Sequence, residues 1–352
     1  MNDRLRAICD APGVSGFEDA VQGVVSELLE SAVDETWRDR MGNLIGVKRA
    51  RPDIVSPRRL VYAAHVDEIG MMVSHVDDGG FVRFRAIGGL DPRTLPSQRV
   101  TVHGTRGDGA ALHGVIATQS GWLGTPADHE RVFPIHELYI DVGLPGAEVR
   151  SLVEVGDVVT FAAGVDALNE NVWVGRNFDD RIGVYCLVEA MRRLEPVGVD
   201  VYAVFTVQEE VGVRGMPTAA HSIRADIAVV IDGSLPSDTP YARPEERQCA
   251  LGYGTGIYLM DNRTIGTPQL VRSLIDTCER HGIAYQRNLG GGTDASEIQR
   301  AGLGAWATTI GAPIRYMHST AQLCHVDDVE ATVALLVAFA GEAEHVLPKD
   351  WR

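Results

Sequence analysis

The chain has five cysteines in 352 residues, Cys9, Cys186, Cys249, Cys278 and Cys324, and no CxxC pair among them. An odd, scattered set excludes a disulfide framework and a thiolate metal site, and it fits a reducing cytoplasm. Also missing is any run of about 18 apolar residues of the kind a membrane-spanning helix needs, and the opening MNDRLRAICDAPGVSGF lacks the apolar core of a secretory signal. A soluble cytoplasmic protein without a membrane partner is expected. Basic residues are in deficit, 32 Lys and Arg against 48 Asp and Glu, for a net charge of −16. A surface of that sign repels phosphate backbones and argues against nucleic acid or anionic lipid as partner. Low-complexity tracts, internal repeats and Pro/Ser linkers are absent too, so an inserted segment must dock through short connections.

What is present is a change of apolar rhythm along the chain. Val21, Val24, Val25, Leu28 and Leu29 recur at helical spacing and predict a helix over 18–29, followed by strand candidates at 43–47 and 60–64. Between Met71 and Phe161 the runs MMVSHV, FVRFRAI, RVTVHG, LHGVIAT, LYIDVG and DVVTFA are short and β-rich, broken by DDGG, GGLDP, RGDG and EVGD. An all-β insert over 69–162 is expected, dividing an α/β domain into 1–68 and 163–352. Alternation then resumes: helix 181–194, strand 201–207, helix 217–222, strand 227–232, helix 268–281, strand 305–310 and helix 329–346. Near-continuous apolar strands between amphipathic helices predict a sheet buried on both faces.

In an open α/β sheet, ligands bind beyond the carboxyl ends of the strands. His65, Glu209 with Glu210, and Asp232 all fall at or just past such ends, and Asp179 with Asp180 lie in a loop able to face the same rim. Acids held there in low dielectric need compensation, most simply from a bound cation. In His65-Val66-Asp67 the two-residue period places imidazole and carboxylate on one side of the strand, within reach of a hydrogen bond that fixes the tautomer. Asp179 and Asp180 read either as a helix start or as a site where one carboxylate bridges two cations, which stand about 3.5–4 Å apart in such centres. Glu209 and Glu210 read either as a solvated helix start or as one ligand beside one proton acceptor. The LGGGTDAS run, with Gly291, Gly292 and Thr293, lacks a P-loop ending and suits a tight turn that lets a substrate backbone approach. His318 in RYMHS is, alone, no more than a surface histidine.

The order AAHVDEIGMMV, GRNFDDRIG, TVQEEVGVRGM, VIDGS, GGGTDAS and RYMHS closely resembles the TET or glutamyl aminopeptidase family of dinuclear metallopeptidases, over essentially the whole chain. The resemblance implies a three-layer α/β/α peptidase domain with an inserted β-barrel dimerisation domain, and homo-oligomers built from dimers up to a dodecamer. It implies one metal held by His65, Asp179 and Asp232 and a second by Asp179, Glu210 and His318. Asp179 would bridge, Glu209 would be the general base, Asp67 would orient His65 and Asp180 would support the loop. Two divalent ions per subunit are implied, zinc first, with cobalt or manganese also suited to nitrogen and oxygen donors. The implied activity is removal of N-terminal residues from short peptides with a free N-terminus. The alternatives are a metal-dependent deacylase or carboxypeptidase of the same architecture, or a noncatalytic metal-binding assembly protein.

The chain departs from that family at three places. ATQSGWLGTPADHERVF stands where many relatives carry a Lys-Pro-Pro-His element, Arg176 stands where Lys is frequent, and AAH replaces GH. None of these removes an expected ligand.

Overall fold

The structure, a computed structural model, describes residues 2–107, 109, 111–119, 125 and 130–348. The strand Arg59–His65 is buried at every position after Arg59. Its side chains alternate between two cores: Leu60, Tyr62 and Ala64 enter one, Val61 and Ala63 the other. Asp200–Thr206 does the same, with Val201, Ala203 and Phe205 on one side and Tyr202 and Val204 on the opposite side. Because strand side chains alternate, such runs present two apolar faces, and each face must be covered by helices. The first is covered by Asp3–Asp10, Asp19–Leu29, Phe178–Arg193, Pro268–His281 and Val326–Glu342. The second is covered by Met216–Ile223 and the short Ala295–Gln299. The outcome is an α/β/α sandwich.

One helix shows how the covering works. Pro268–His281 begins with proline at its first turn and stops at Gly282, whose φ of 65° suits a left-handed cap. Between them Leu270, Leu274 and Cys278 recur every four residues and face the core. Each buried leucine contributes roughly 2 kcal/mol.

The main sheet has eight strands in the order Glu35–Arg38, Leu44–Lys48, Asp200–Thr206, Arg59–His65, Ile227–Ile231, Trp306–Gly311, Thr255–Met260, Tyr285–Leu289. The central four run parallel, with Thr206 opposite His65 and Val230 opposite Ala63. Their carboxyl ends therefore form one rim. A second sheet of four short strands, Asp166–Ala167, Val172–Gly175, Gln322–His325 and Ile314–Arg315, leads the chain through the 316–318 turn toward that rim.

Between the strand ending at His65 and the helix beginning at Phe178, six strands close into a barrel: Gly70–Val76, Val82–Ile87, Tyr139–Asp141, Ala111–Ala117, Arg99–His103 and Val158–Phe161. Met71, Val73, Val82, Phe84, Val100, Val102, Ile116, Ile140 and Val159 fill its core. Closure leaves no unpaired edge, and six strands leave room only for side chains inside. All six β runs read from the sequence are strands. The segment 117–133 lies largely outside the described residues.

Sequence patterning missed the helix Asp3–Asp10, the strand Thr255–Met260 and the edge strand Tyr285–Leu289. The last, YQRNL, buries little more than Asn288, so no apolar alternation marks it. The final helix starts at Val326 and gives way to a 3-10 turn over Ala343–His345. Among the described residues no helix is long and apolar enough to cross a membrane.

Candidate metal centre

At the carboxyl rim a cavity of about 350 Å³ is lined by His65, Asp179, Glu209, Glu210, Asp232 and His318, with Leu235, Tyr258, Met317 and the 291–293 turn forming its far wall. Asp179 lies at the centre. Its Oδ1 stands 3.3 Å from His65 Nε2, and its Oδ2 stands 3.4 Å from His318 Nε2. His318 Nε2 also stands 3.2 Å from Glu210 Oε2. Donor atoms of His65, Asp179 and Asp232 lie within 4.8 Å of one another, as do those of Asp179, Glu210 and His318. The two triads share one residue, Asp179.

Each donor is held by a specific local structure. Asp179 opens the helix Phe178–Arg193 with non-helical dihedrals, and its amide donates to the buried Gln322 side chain at 2.9 Å. His318 occupies a left-handed φ of 59°, and its Nδ1 stands 3.1 Å from the carbonyl of Gly89, which follows the second barrel strand. The barrel thereby sets one imidazole of the sheet domain. Asp232 directly follows its strand, its amide donating to Ile310 at 3.0 Å.

Asp67 plays a wider part than orienting a histidine. His65 Nδ1 is 3.1 Å from the main-chain carbonyl of Asp67 and 3.4 Å from Oδ1 of its carboxylate. That carboxylate, fully buried, accepts the amides of Glu209 at 2.9 Å and Glu210 at 3.1 Å, and the Ser15 hydroxyl at 2.6 Å. Burial opposes its charge, but His65, Ser15 and the Glu209 amide hold its pKa below the usual range. Asp180 is fully buried and accepts the Gly183 amide at 3.1 Å, and it is no member of either triad. Burial, with Asp179 alongside, pushes its carboxyl well up.

The electrostatics call for positive charge. Burial, reinforced by Asp180 and Asp179, pushes Asp232 well above the carboxylate range. Burial, with Asp294, Glu210 and Asp67 nearby, does the same to Glu209, and burial raises Glu210. Burial also opposes the charge of Asp179, but His318 and His65 hold its pKa well down. His318 is pushed up to about 11 by Asp179 and Glu210. For His65, burial is outweighed by Asp179 and Asp67, and its pKa rises well above normal. Two triads of nitrogen and oxygen donors around surplus carboxylate fit divalent cations. Glu209 belongs to neither triad, and its carboxylate faces the cavity without a hydrogen-bond partner among the described residues.

The turn residues are placed unequally. Gly291 has a φ of 88°, and it and Gly292 line the cavity with bare backbone. The Thr293 hydroxyl is turned away into a bond of 2.7 Å with Thr309. Residues absent from the sequence reading include Ser15, Gln322 and Gly89, and a buried ion network beneath His65. In that network Glu68 pairs with Arg176, and Arg181 donates to the carbonyl of Val66 at 2.7 Å. Arg176, the departure from Lys, is thus a partner of the residue next to Asp67. One glutamate and two arginines close to the HVDE and FDDR steps were visible in sequence, but nothing there distinguished them from surface charges.

A carboxylate and imidazole centre at the rim of an α/β/α sheet, beside an inserted barrel, is the architecture of a hydrolase. The chain belongs to the M42 glutamyl aminopeptidase family, whose profile matches residues 42–335, and it is a peptide hydrolase. It is similar to a structurally characterised aminopeptidase from the archaeon Desulfurococcus kamchatkensis, with 36% identity and a TM-score of 0.91, covering 97% of this chain and 94% of that one. The TET1 peptidase of Pyrococcus horikoshii, which can assemble into a tetrahedron or a large octahedral shell, is 32% identical at a TM-score of 0.85, covering 97% and 99%. The lysyl aminopeptidase of Pyrococcus furiosus is 30% identical over 348 residues, 96% of either chain.

Proposed function

We propose that the chain removes N-terminal residues from short peptides at a centre for two divalent cations, with Glu209 as general base. One observation carries this reading: the two oxygens of Asp179 face two different imidazoles, each within a separate donor triad. His65, Asp179 and Asp232 would hold one ion and Asp179, Glu210 and His318 the other. Zinc suits these donors first, and cobalt or manganese also suit them. Bound there, the ions polarise the scissile carbonyl and make water acidic enough to lose a proton near neutral pH.

The remaining steps fall to the protein. Glu209, raised by burial, accepts the proton of the attacking water as its oxygen bonds to the carbonyl carbon. As the C–N bond breaks, Glu209 returns that proton to the departing amine, which leaves the base ready for another cycle. Asp67 fixes the backbone from which Glu209 and Glu210 project. Gly291 and Gly292 offer a wall without side chains against which a peptide backbone fits. No Lys or Arg is among the described residues lining the cavity, while four carboxylates are. That lining welcomes the ammonium of a free N-terminus and has no partner for a C-terminal carboxylate, which favours an aminopeptidase over a carboxypeptidase.

The five free, buried cysteines suit a reducing cytoplasm. The barrel is proposed as the dimerisation surface of a homo-oligomer, up to a dodecamer, on the likeness to assembling relatives. Sedimentation of the metal-loaded protein checks this, and a monomer alone would contradict it. Aminoacyl anilides and short peptides, free and N-blocked, test the reaction. Cleavage of free N-termini alone, abolished in Glu209→Gln with metal content retained, is expected. Cleavage of blocked substrates only would overturn the reading in favour of a deacylase.

A further inference from the structure

Beyond the end of the strand Asp200–Thr206, four consecutive backbone amides are each taken by a side-chain oxygen. Val207 donates to Asn43 Oδ1 at 3.0 Å and Gln208 to Glu18 Oε1 at 3.1 Å, while Glu209 and Glu210 donate to the two oxygens of Asp67. A strand that leaves its sheet loses its ladder partners, and buried amides must find others. The acceptors here come from three separate parts of the chain. Gln208 also sits at a φ of 58°, a left-handed conformation that is strained for a non-glycine residue and persists only where its surroundings impose it.

Glu18 is the member of this clamp with no other evident task. It is buried at 6% exposure, and its Oε1 also accepts the Gly16 amide at 2.7 Å, which ties the loop ahead of the helix Asp19–Leu29 to the acid turn. It stands at the N-cap of that helix, yet its side chain makes no capping hydrogen bond there. It lines no part of the cavity and belongs to neither donor triad.

We infer that Glu18 is a positioning residue for the reaction: by holding the Gln208 amide it sets the direction in which the adjoining Glu209 carboxylate enters the cavity. The inference rests on the reading of Glu209 as the base. Glutamine at position 18 keeps an oxygen for the two amides, whereas alanine removes it.

The test compares Glu18→Ala, Glu18→Gln and Glu209→Gln in the full-length, cobalt-loaded protein. Peptide hydrolysis, cobalt bound per chain, melting temperature and amide hydrogen exchange across 205–211 are all measured. Expected for Glu18→Ala is a fall in kcat of about 10- to 100-fold with KM within about threefold, cobalt content close to wild type, a melting temperature lower by roughly 4–8 °C for the two freed amides, and faster exchange at Gln208. Glu18→Gln should restore kcat to within about fivefold of wild type and restore the exchange protection. Unchanged kcat or unchanged exchange in Glu18→Ala overturns the inference. Loss of cobalt, melting temperature and activity together also overturns it, since that marks a purely structural role. Full activity in Glu209→Gln defeats the reading of the base itself, and the two failures are thereby told apart.

Discussion

Replacing Asp67 with alanine should cost the protein stability as well as rate, and the structure says how much. Its carboxylate is fully buried and accepts three donors: Ser15 at 2.6 Å, Glu209 at 2.9 Å and Glu210 at 3.1 Å. The Ser15 hydroxyl can rotate to another acceptor, but the two amides cannot. Each buried donor left unpaired costs about 1–3 kcal/mol, which for the two amides brings the total to roughly 2–6 kcal/mol. At about 2 °C per kcal/mol for a large domain, the melting temperature should fall by about 4–12 °C. Asparagine should cost about half as much, since it keeps one oxygen but turns an amide N–H toward the remaining donor. Scanning calorimetry on chelated samples is the assay, because bound ions add their own stabilisation and would obscure the difference. The direction with pH follows from the depressed pKa of Asp67: its contribution is full above the ordinary aspartate range and is lost as pH falls through the lower native value. A chelated Asp67→Ala protein melting within 2 °C of wild type, on a scale of roughly 2 °C per kcal/mol, would show that Asp67 does not hold the acid turn in this way.

A methyl group at Gly89 would lie 2.8 Å from His318 Nδ1, so Gly89→Ala should displace that imidazole and weaken the binding of one of two cations by about tenfold, as isothermal titration with cobalt would show. Far from the centre, Glu342 joins the helices Pro268–His281 and Val326–Glu342. Partial burial opposes its charge, but Arg280, Thr277 and His281 bring its pKa down from 4.5 to about 2. Its stabilisation is therefore present above about pH 4.5 and lost as pH falls toward 2, amounting to about 1 kcal/mol after solvent screening; Glu342→Gln should flatten the acid limb of the pH–stability curve by that amount. Leu274→Ala, at a position 1% exposed, should cost about 3 kcal/mol in urea unfolding while leaving kcat unchanged.

The strands that carry the centre were readable because burial on both faces makes them continuously apolar, and an acid ending such a run stands out. That logic places His65, Glu209, Glu210 and Asp232 on one rim, where the structure has them. Asp179 was readable as an acid in a loop, but its central position depends on the helix start and on Gln322, residues with no local signal of that role. The same holds for Glu18 and Ser15. Before the chain is folded, nothing separates an acid that will accept a buried amide from one facing water. Asp67 followed Val66 in a strand-like alternation, which suggested a partner for the imidazole alone. Its larger load, the two amides of the acid turn, comes from a strand more than a hundred residues further along. The edge strand Tyr285–Leu289 escaped for the opposite reason: one buried position in five makes no pattern.

Asp179 is proposed to join two cation sites that act together on a peptide bond. Stepwise return of zinc or cobalt to fully chelated protein, with peptide hydrolysis and bound metal measured at each step, tests it most directly. Negligible hydrolysis is expected without metal, and full activity only as the bound ion approaches two per chain. Hydrolysis that survives complete chelation, or that is complete at one ion per chain, would contradict it.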